Sequence, residues 1–176
     1  MEDWQIALIV IGSVLLFLGF VYLFLSWYTW KRCNRVNPSV PTVAVDPVEY
    51  SGTWYEMAAY PQWFEKGCSQ TTAKYTPNKH GLLVENSCIR NGSLTTSTGQ
   101  AYPTKYPGVY GVSFFPGIYG NYTVTYRDPQ TSIVTNPDKS TLWILSRSQK
   151  LAHKDKIMRW LKQHDFDTTK LKWNAT

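Results

Sequence analysis

Residues 6–30, IALIVIGSVLLFLGFVYLFLSWYTW, run for 25 positions without a charge. At about 1.5 Å per residue, a helix of that length crosses the roughly 30 Å hydrocarbon core of a bilayer. The run is therefore expected to be a transmembrane helix. Trp4 on one side and Trp27, Tyr28 and Trp30 on the other stand where interfacial rings gather, and Lys31 and Arg32 end the span. A cleaved signal peptide would need a basic amino end, a shorter apolar core and a small-residue cleavage site. Here the amino end carries Glu2 and Asp3, and the run closes on bulky rings. The chain thus divides into a tail (1–5), a span (6–30), a tether (31–45) and a folded domain (46–176).

The tether holds Pro38 and Pro41, with Pro47 just beyond it, has little helical period and reads as extended. Cys33, close after the span, lacks an acylation motif and is expected to be an idle thiol. Beyond it, short runs rich in Tyr, Val, Thr and Phe alternate with turn residues, the pattern of an antiparallel barrel or sandwich. They fall at 53–60, 69–76, 82–88, 96–102, 109–115, 121–127, 131–135, 141–147 and, briefly, 170–173. One helix interrupts the series at 153–164. It places Ile157, Trp160, Leu161 and His164 at i, i+3, i+4 and i+7, a stripe that must pack on the sheet to be stable.

Catalytic and metal chemistry find little support. His80, His153 and His164 show no metal-ligand spacing, and neither a nucleophile motif nor a glycine-rich phosphate loop occurs. Neither a cofactor nor a metal is expected. Outside the tail and the cluster at 31–35 there are 15 Lys and Arg against 10 Asp and Glu, and seven of those cations fall between Lys150 and Lys172. Without a basic stripe interleaved with exposed rings in a suitable module, nucleic acid is not an expected partner. The basic helix reads as solvated surface, with contact to anionic head groups the second reading.

The stretch GTWYE (52–56) resembles the Gly-x-Trp signature of the lipocalins, and the order of eight strands, helix and short last strand is similar to theirs. LWILSR (142–147), VSFFPGIYGNY (112–122) and FEKGC (64–68) resemble the subgroup of the bacterial outer-membrane lipocalin and apolipoprotein D. The fold this implies is all-β, an eight-stranded antiparallel up-and-down barrel with one C-terminal helix. The resemblance also implies that Trp54 plugs the closed end, that Arg147 lies across its face as a planar cation, and that Gly52 lets the chain turn into the first strand. Two departures stand out. TYRDPQ (125–130) replaces the family's Thr-Asp-Tyr, and Cys33 follows TWKR rather than a lipoprotein signal.

An eight-stranded barrel has room for one small ligand. With Trp54 inward, alternation puts Glu56, Ala58 and Tyr60 inside and Tyr55 and Met57 outside. Either face of 109–115 and of 121–126 could line the cavity; the more apolar faces carry Val112 and Phe114, and Tyr122 and Val124. Glu56 reads as one half of a salt bridge to a barrel Lys or Arg, or as an anchor for a ligand head group. The ligand-binding candidates are therefore Glu56, Ala58, Tyr60, Val112, Phe114, Tyr122 and Val124.

The turn at 78–81 brings Cys68 across from Cys88, and a disulfide is expected. That bond and the sequons at Asn91, Asn121 and Asn174 favour a luminal or exterior domain, whereas Lys31, Arg32 and Arg35 on the domain side argue for the cytosol. The expected function is a membrane-tethered carrier, not an enzyme, for a small hydrophobic molecule such as a fatty acid or lysophospholipid. The alternative is a display module whose barrel is filled by its own side chains and whose open-end loops bind a protein.

Overall fold

The computed structural model describes residues 2–35 and 40–174. Residues 36–39 of the expected tether, with Pro38, lie outside the described residues, as do Met1 and residues 175 and 176. The elements are α1 (Asp3–Cys33), α2 (Pro47–Tyr50), β1 (Gly52–Ala59), β2 (Cys68–Asn78), β3 (Gly81–Arg90), β4 (Ser93–Pro103), β5 (Val109–Phe115), β6 (Ile118–Arg127), β7 (Thr131–Thr135), β8 (Leu142–Ser146), α3 (Lys154–Gln163) and β9 (Lys172–Trp173).

Alternating apolar and polar positions separated by tight turns favour strands that pair with their sequence neighbours, and β1 to β8 do so antiparallel throughout. β1 closes the barrel by pairing with β8 on one side and β2 on the other. The β1–β2 seam holds only from Gly52↔Tyr75 to Tyr55↔Thr72, and above it β9 takes the place beside β1, with Ala58 opposite Trp173. The up-and-down order puts the β1–β2, β3–β4, β5–β6 and β7–β8 connections at one end, the open rim. The start of β1 and the end of β8 lie at the other.

Two apolar clusters flank the wall. Inside the barrel are Tyr50, Trp54, Tyr75, Leu82, Val84, Tyr110, Val124, Val134 and Leu145. Outside, under α3, are Met57, Ala58, Tyr60, Ile133, Leu142, Ile144, Ile157 and Leu161. Ala58 and Tyr60 are thus on the outer face, not the inner one that strict alternation gave them. The cause is a bulge: Glu56 pairs with Leu145 and Ala58 with Ile144, so Met57 is an extra residue and the strand changes phase there. Glu56, opposite the inner residue Leu145, keeps its inward place.

The closed end is built from chain read as tether. Val40 is buried, Val43 and Val45 pack on the inner cluster, and Val43 N–H donates to the Val124 carbonyl at 2.9 Å. Four valines in this stretch gave the apolar content for it, but a segment without helical or strand period carries no signal of its docking place. Trp54, fully buried, donates its indole N–H to the Tyr50 carbonyl at 2.9 Å. The Arg147 guanidinium lies 3.8 Å from the Trp54 ring centroid and donates to the Glu49 carbonyl at 2.8 Å and the Thr53 carbonyl at 3.3 Å. Gly52, at φ 90°, makes the turn into β1 directly beneath that guanidinium.

The long helix packs its C-terminal third on the outer wall. Trp30 meets Tyr119 and Tyr102 edge-on, at 5.1 and 6.4 Å between centroids. A Cβ on Gly111 would come within 2.9 Å of the Trp30 ring, and one on Gly117 within 2.6 Å of the Tyr22 hydroxyl, so both glycines permit this close approach. Trp54→Ala is expected to lower the unfolding free energy by about 3–5 kcal/mol, because it empties the floor beneath Arg147. Urea denaturation of parent and variant, followed by near-ultraviolet circular dichroism, measures it.

Candidate functional site

The lower half of the barrel is a floor of tyrosines. The Tyr122 hydroxyl lies 2.9 Å from that of Tyr50 and 2.8 Å from that of Tyr75, and Tyr50 also meets the Ser132 hydroxyl at 2.9 Å. Burial pushes all three phenols above their ordinary pKa, those of Tyr75 and Tyr122 far above, so the network is neutral and mutually hydrogen-bonded. Tyr110 packs beside it edge-on, its ring centroid 6.4 Å from that of Tyr122. These rings and Trp54 leave the upper half as the space in which a ligand could lie.

The wall above the floor is lined differently. Val112 is half-buried and pairs with Gly120, and Phe114 is exposed, its ring against Gly99. Across the barrel, Trp143 on β8 is half-buried and donates its indole N–H to Glu65 Oε1 at 3.0 Å. Small residues, Gly99 and Ala101 on β4 and Gly120 on β6, keep the facing wall thin. Of the sequence candidates, the structure brings Glu56, Val112, Tyr122 and Val124 to the inner face with Phe114 above them, with Tyr122 and Val124 in the filled part. Ala58 and Tyr60 are not among them. The two described cavities lie outside the barrel, one of about 340 Å³ between α1 and the wall at Trp30, Tyr102 and Tyr119, the other beside Val45 and Pro103.

Glu56 is the one acid of this interior strand face. Its partner is an amide rather than a Lys or Arg: Asn174 donates to Glu56 Oε1 at 3.0 Å and to the Glu56 carbonyl at 2.8 Å. Burial, reinforced by the nearby Glu65 carboxylate and opposed by the Asn174 hydrogen bond, raises its pKa to about 7. Glu65 itself is raised by burial. Asn86, two residues beyond the inner Val84, carries a buried side-chain oxygen without a hydrogen-bond partner among the described residues. Near neutral pH the cup therefore offers a carboxyl group that can donate a hydrogen bond and an amide oxygen that can accept one.

Cys68 and Cys88 form a disulfide, with Cα atoms 5.4 Å apart. The bond is diagonal, not directly across: Cys68 pairs in register with Arg90, and the β2–β3 ladder shifts between Ser69 and Thr72. It fastens the β1–β2 loop end to β3, and Arg90 Nη2 adds a hydrogen bond to the Phe64 carbonyl at 2.6 Å. Cys33 is a free, buried thiol against Gly111. Asn91 is exposed in the β3–β4 turn. Asn121 is half-buried, and the Asn174 amide is occupied by Glu56. No group of His, Cys, Asp and Glu suited to a metal ion occurs among the described residues.

The model of a lipocalin-like domain matches residues 45–176, the barrel with its Trp–Arg floor and C-terminal helix included. The chain belongs to the lipocalins. This lipocalin is 35% identical over 153 residues to the outer membrane lipoprotein Blc of Escherichia coli K12, covering 80% of this chain and 86% of that protein. It is 31% identical over 144 residues to apolipoprotein D of Macaca fascicularis, covering 72% and 74% respectively. Among solved structures, insecticyanin of Manduca sexta superposes with a TM-score of 0.64 at 23% identity, over 81% of this chain and 87% of that one, a likeness of fold.

Alternation along β3 and β8 could have found Asn86 and Trp143 in the lipocalin sequence, once Val84 and Leu145 were placed inside. Glu65 ends a single 3-10 turn, Trp63–Glu65, in the β1–β2 connection and had no such signal. Glu56 gives the site a pH signature. The folded chain keeps a proton that the unfolded chain loses near pH 4.5, so the folded state is progressively penalised as pH rises from about 4.5 to about 7. The penalty at full ionisation is on the order of 3 kcal/mol. Glu56→Gln is expected to match the parent below pH 4.5 and to be the more stable protein above pH 7, in thermal melts across that range. Parallel stability profiles of the two would contradict the assignment.

Proposed function

We propose that this lipocalin is held in a membrane by α1 and carries one long-chain fatty acid or lysophospholipid in the upper half of its barrel, without catalysis. The observation that carries the reading is the change of lining halfway up the wall. Below it, hydroxyl-paired tyrosines fill the space; above it, the inner face carries Val112, Phe114, Gly120 and Trp143, with Glu56 on one side. An acyl chain there gains about 0.8 kcal/mol per buried methylene, which suffices for binding with few polar contacts. The relatives named as outer membrane lipoproteins support a membrane setting. The helix Asp3–Cys33 is long and apolar enough to span a bilayer. The disulfide favours placing the domain on the luminal or exterior side.

The filled floor favours a second reading, a display barrel whose rim binds a protein. Gly120 separates the two. A Cβ built there meets nothing closer than the Val112 carbonyl at 3.8 Å, so the backbone accepts a side chain at this position and Gly120→Trp is expected to plug the cup. A photoactivatable fatty acid is expected to cross-link to inner-wall peptides of the parent in nanodiscs and to lose most of that yield in Gly120→Trp, while near-ultraviolet circular dichroism stays native. Equal yields at the inner wall in both proteins would remove the carrier reading.

A further inference from the structure

Most of the exposed large apolar residues of the domain are gathered at one end; Val48, in α2 at the closed end, and Trp173 on β9 stand apart. Trp63 and Phe64 stand in the β1–β2 loop, Leu94 beside the β3–β4 turn, and Phe115 and Ile118 on either side of the β5–β6 turn. Trp63 is 87% exposed, Phe115 74% and Leu94 70%, so most of each side chain faces solvent, with the Trp63 ring meeting that of Phe64 edge-on at 5.6 Å. All three connections belong to the open rim. Single exposed apolar residues are ordinary on a soluble surface, but five large ones on three adjacent loop ends form a surface that water disfavours.

The long helix fixes what lies beyond that rim. Tyr22 donates its hydroxyl to the Pro116 carbonyl at the tip of the β5–β6 turn, at 3.0 Å. Farther along, Thr29 lies within hydrogen-bond reach of the Gly117 carbonyl and the Tyr119 N–H, and Trp30 and Cys33 reach Gly111 in mid-strand. The helix therefore runs beside the hairpin from tip to middle, and everything before Tyr22 projects past the rim. That free part, Asp3 to Val21, is 19 residues, about 28 Å of helix, close to the roughly 30 Å of a hydrocarbon core. Its most apolar stretch is unburied by the rest of the chain. If it fills the bilayer, the rim lies at the bilayer surface, and Trp27 and Tyr28, both exposed a turn or two beyond Tyr22, lie at head-group level.

We propose that the open rim is a membrane-docking surface: Trp63, Phe64, Leu94, Phe115 and Ile118 enter the head-group region of the leaflet that α1 leaves, and the mouth of the barrel opens onto that leaflet. The occupant is a phospholipid surface because the projecting span brings one to this end of the barrel and to no other. The β7–β8 connection at residues 136–141 is polar, with Lys139 tied back to the His164 carbonyl at 2.8 Å, so the barrel leans toward the other three loops. A lipid-like ligand would then pass between leaflet and cup without crossing water. Asn91 shares the β3–β4 turn with Leu94, and a glycan there and a docked rim exclude each other.

The inference rests on α1 spanning the bilayer, and the test separates the two. Single cysteines replace Leu94, Phe115, Gln149 or Leu16 in a Cys33→Ser background of the full chain. Each is nitroxide-labelled in phospholipid nanodiscs, and its accessibility to oxygen is compared with that to a water-soluble nickel chelate. Labels at 94 and 115 are expected to favour oxygen several-fold over the label at 149, near the closed end, and to approach the label at 16 within the span. Membrane-like behaviour at 16 with water-like behaviour at 94 and 115 would overturn the docking and leave the span standing. Water-like behaviour at 16 would remove both.

Discussion

Closure of the barrel through β1 is the constraint on which the rest depends. That strand has only eight residues, Gly52–Ala59, yet joins β8 on one edge and β2, then β9, on the other. Its lower end is held by Trp54 beneath the Arg147 guanidinium, an arrangement that buries an indole and satisfies two main-chain carbonyls at once. A planar cation over an aromatic face contributes about 0.5 to 2 kcal/mol, small beside the burial of the ring, but it fixes where the end of β8 meets the start of β1. With that point fixed, alternation determines which residues of the other strands face inward.

The interior then divides by chemistry. Three phenols that share hydrogen bonds cannot be separated without leaving buried polar groups unpaired, so opening the floor carries a cost. Above it the wall changes to Val112, Gly120 and Trp143, whose indole N–H is taken up by Glu65, beside the Glu56 carboxyl, which burial holds partly protonated near neutral pH. The same strand that provides this acid changes phase one residue later. The bulge at Met57 hands Ala58 and Tyr60 to the helix α3 and keeps Glu56 for the cup.

The sequence made the large features legible. The uncharged run rests on length and composition, the strand series and the amphipathic stripe of α3 on periodicities that local chemistry enforces, and Ile157 and Leu161 are fully buried as the stripe required. The inner faces of β5 and β6 also followed, because one face of each is plainly the more apolar. Three features were not legible. A bulge is decided by the pairing of two strands and left no mark in GTWYEMAA. The valines at 40, 43 and 45 dock under the barrel with no period of their own. The packing of Trp30 on Gly111 joins residues 81 positions apart, and nothing local to either announces it.

The carrier account is tested most directly by nuclear Overhauser contacts between a protonated lysophospholipid or fatty acid and the full chain in nanodiscs of perdeuterated lipid. The account predicts contacts from the acyl chain to the Val112 methyls and the Phe114 and Trp143 rings, with none to Ile157 or Leu161 under α3. Contacts confined to Leu23 and Trp27 in the groove beside α1, with none to Val112, would contradict it.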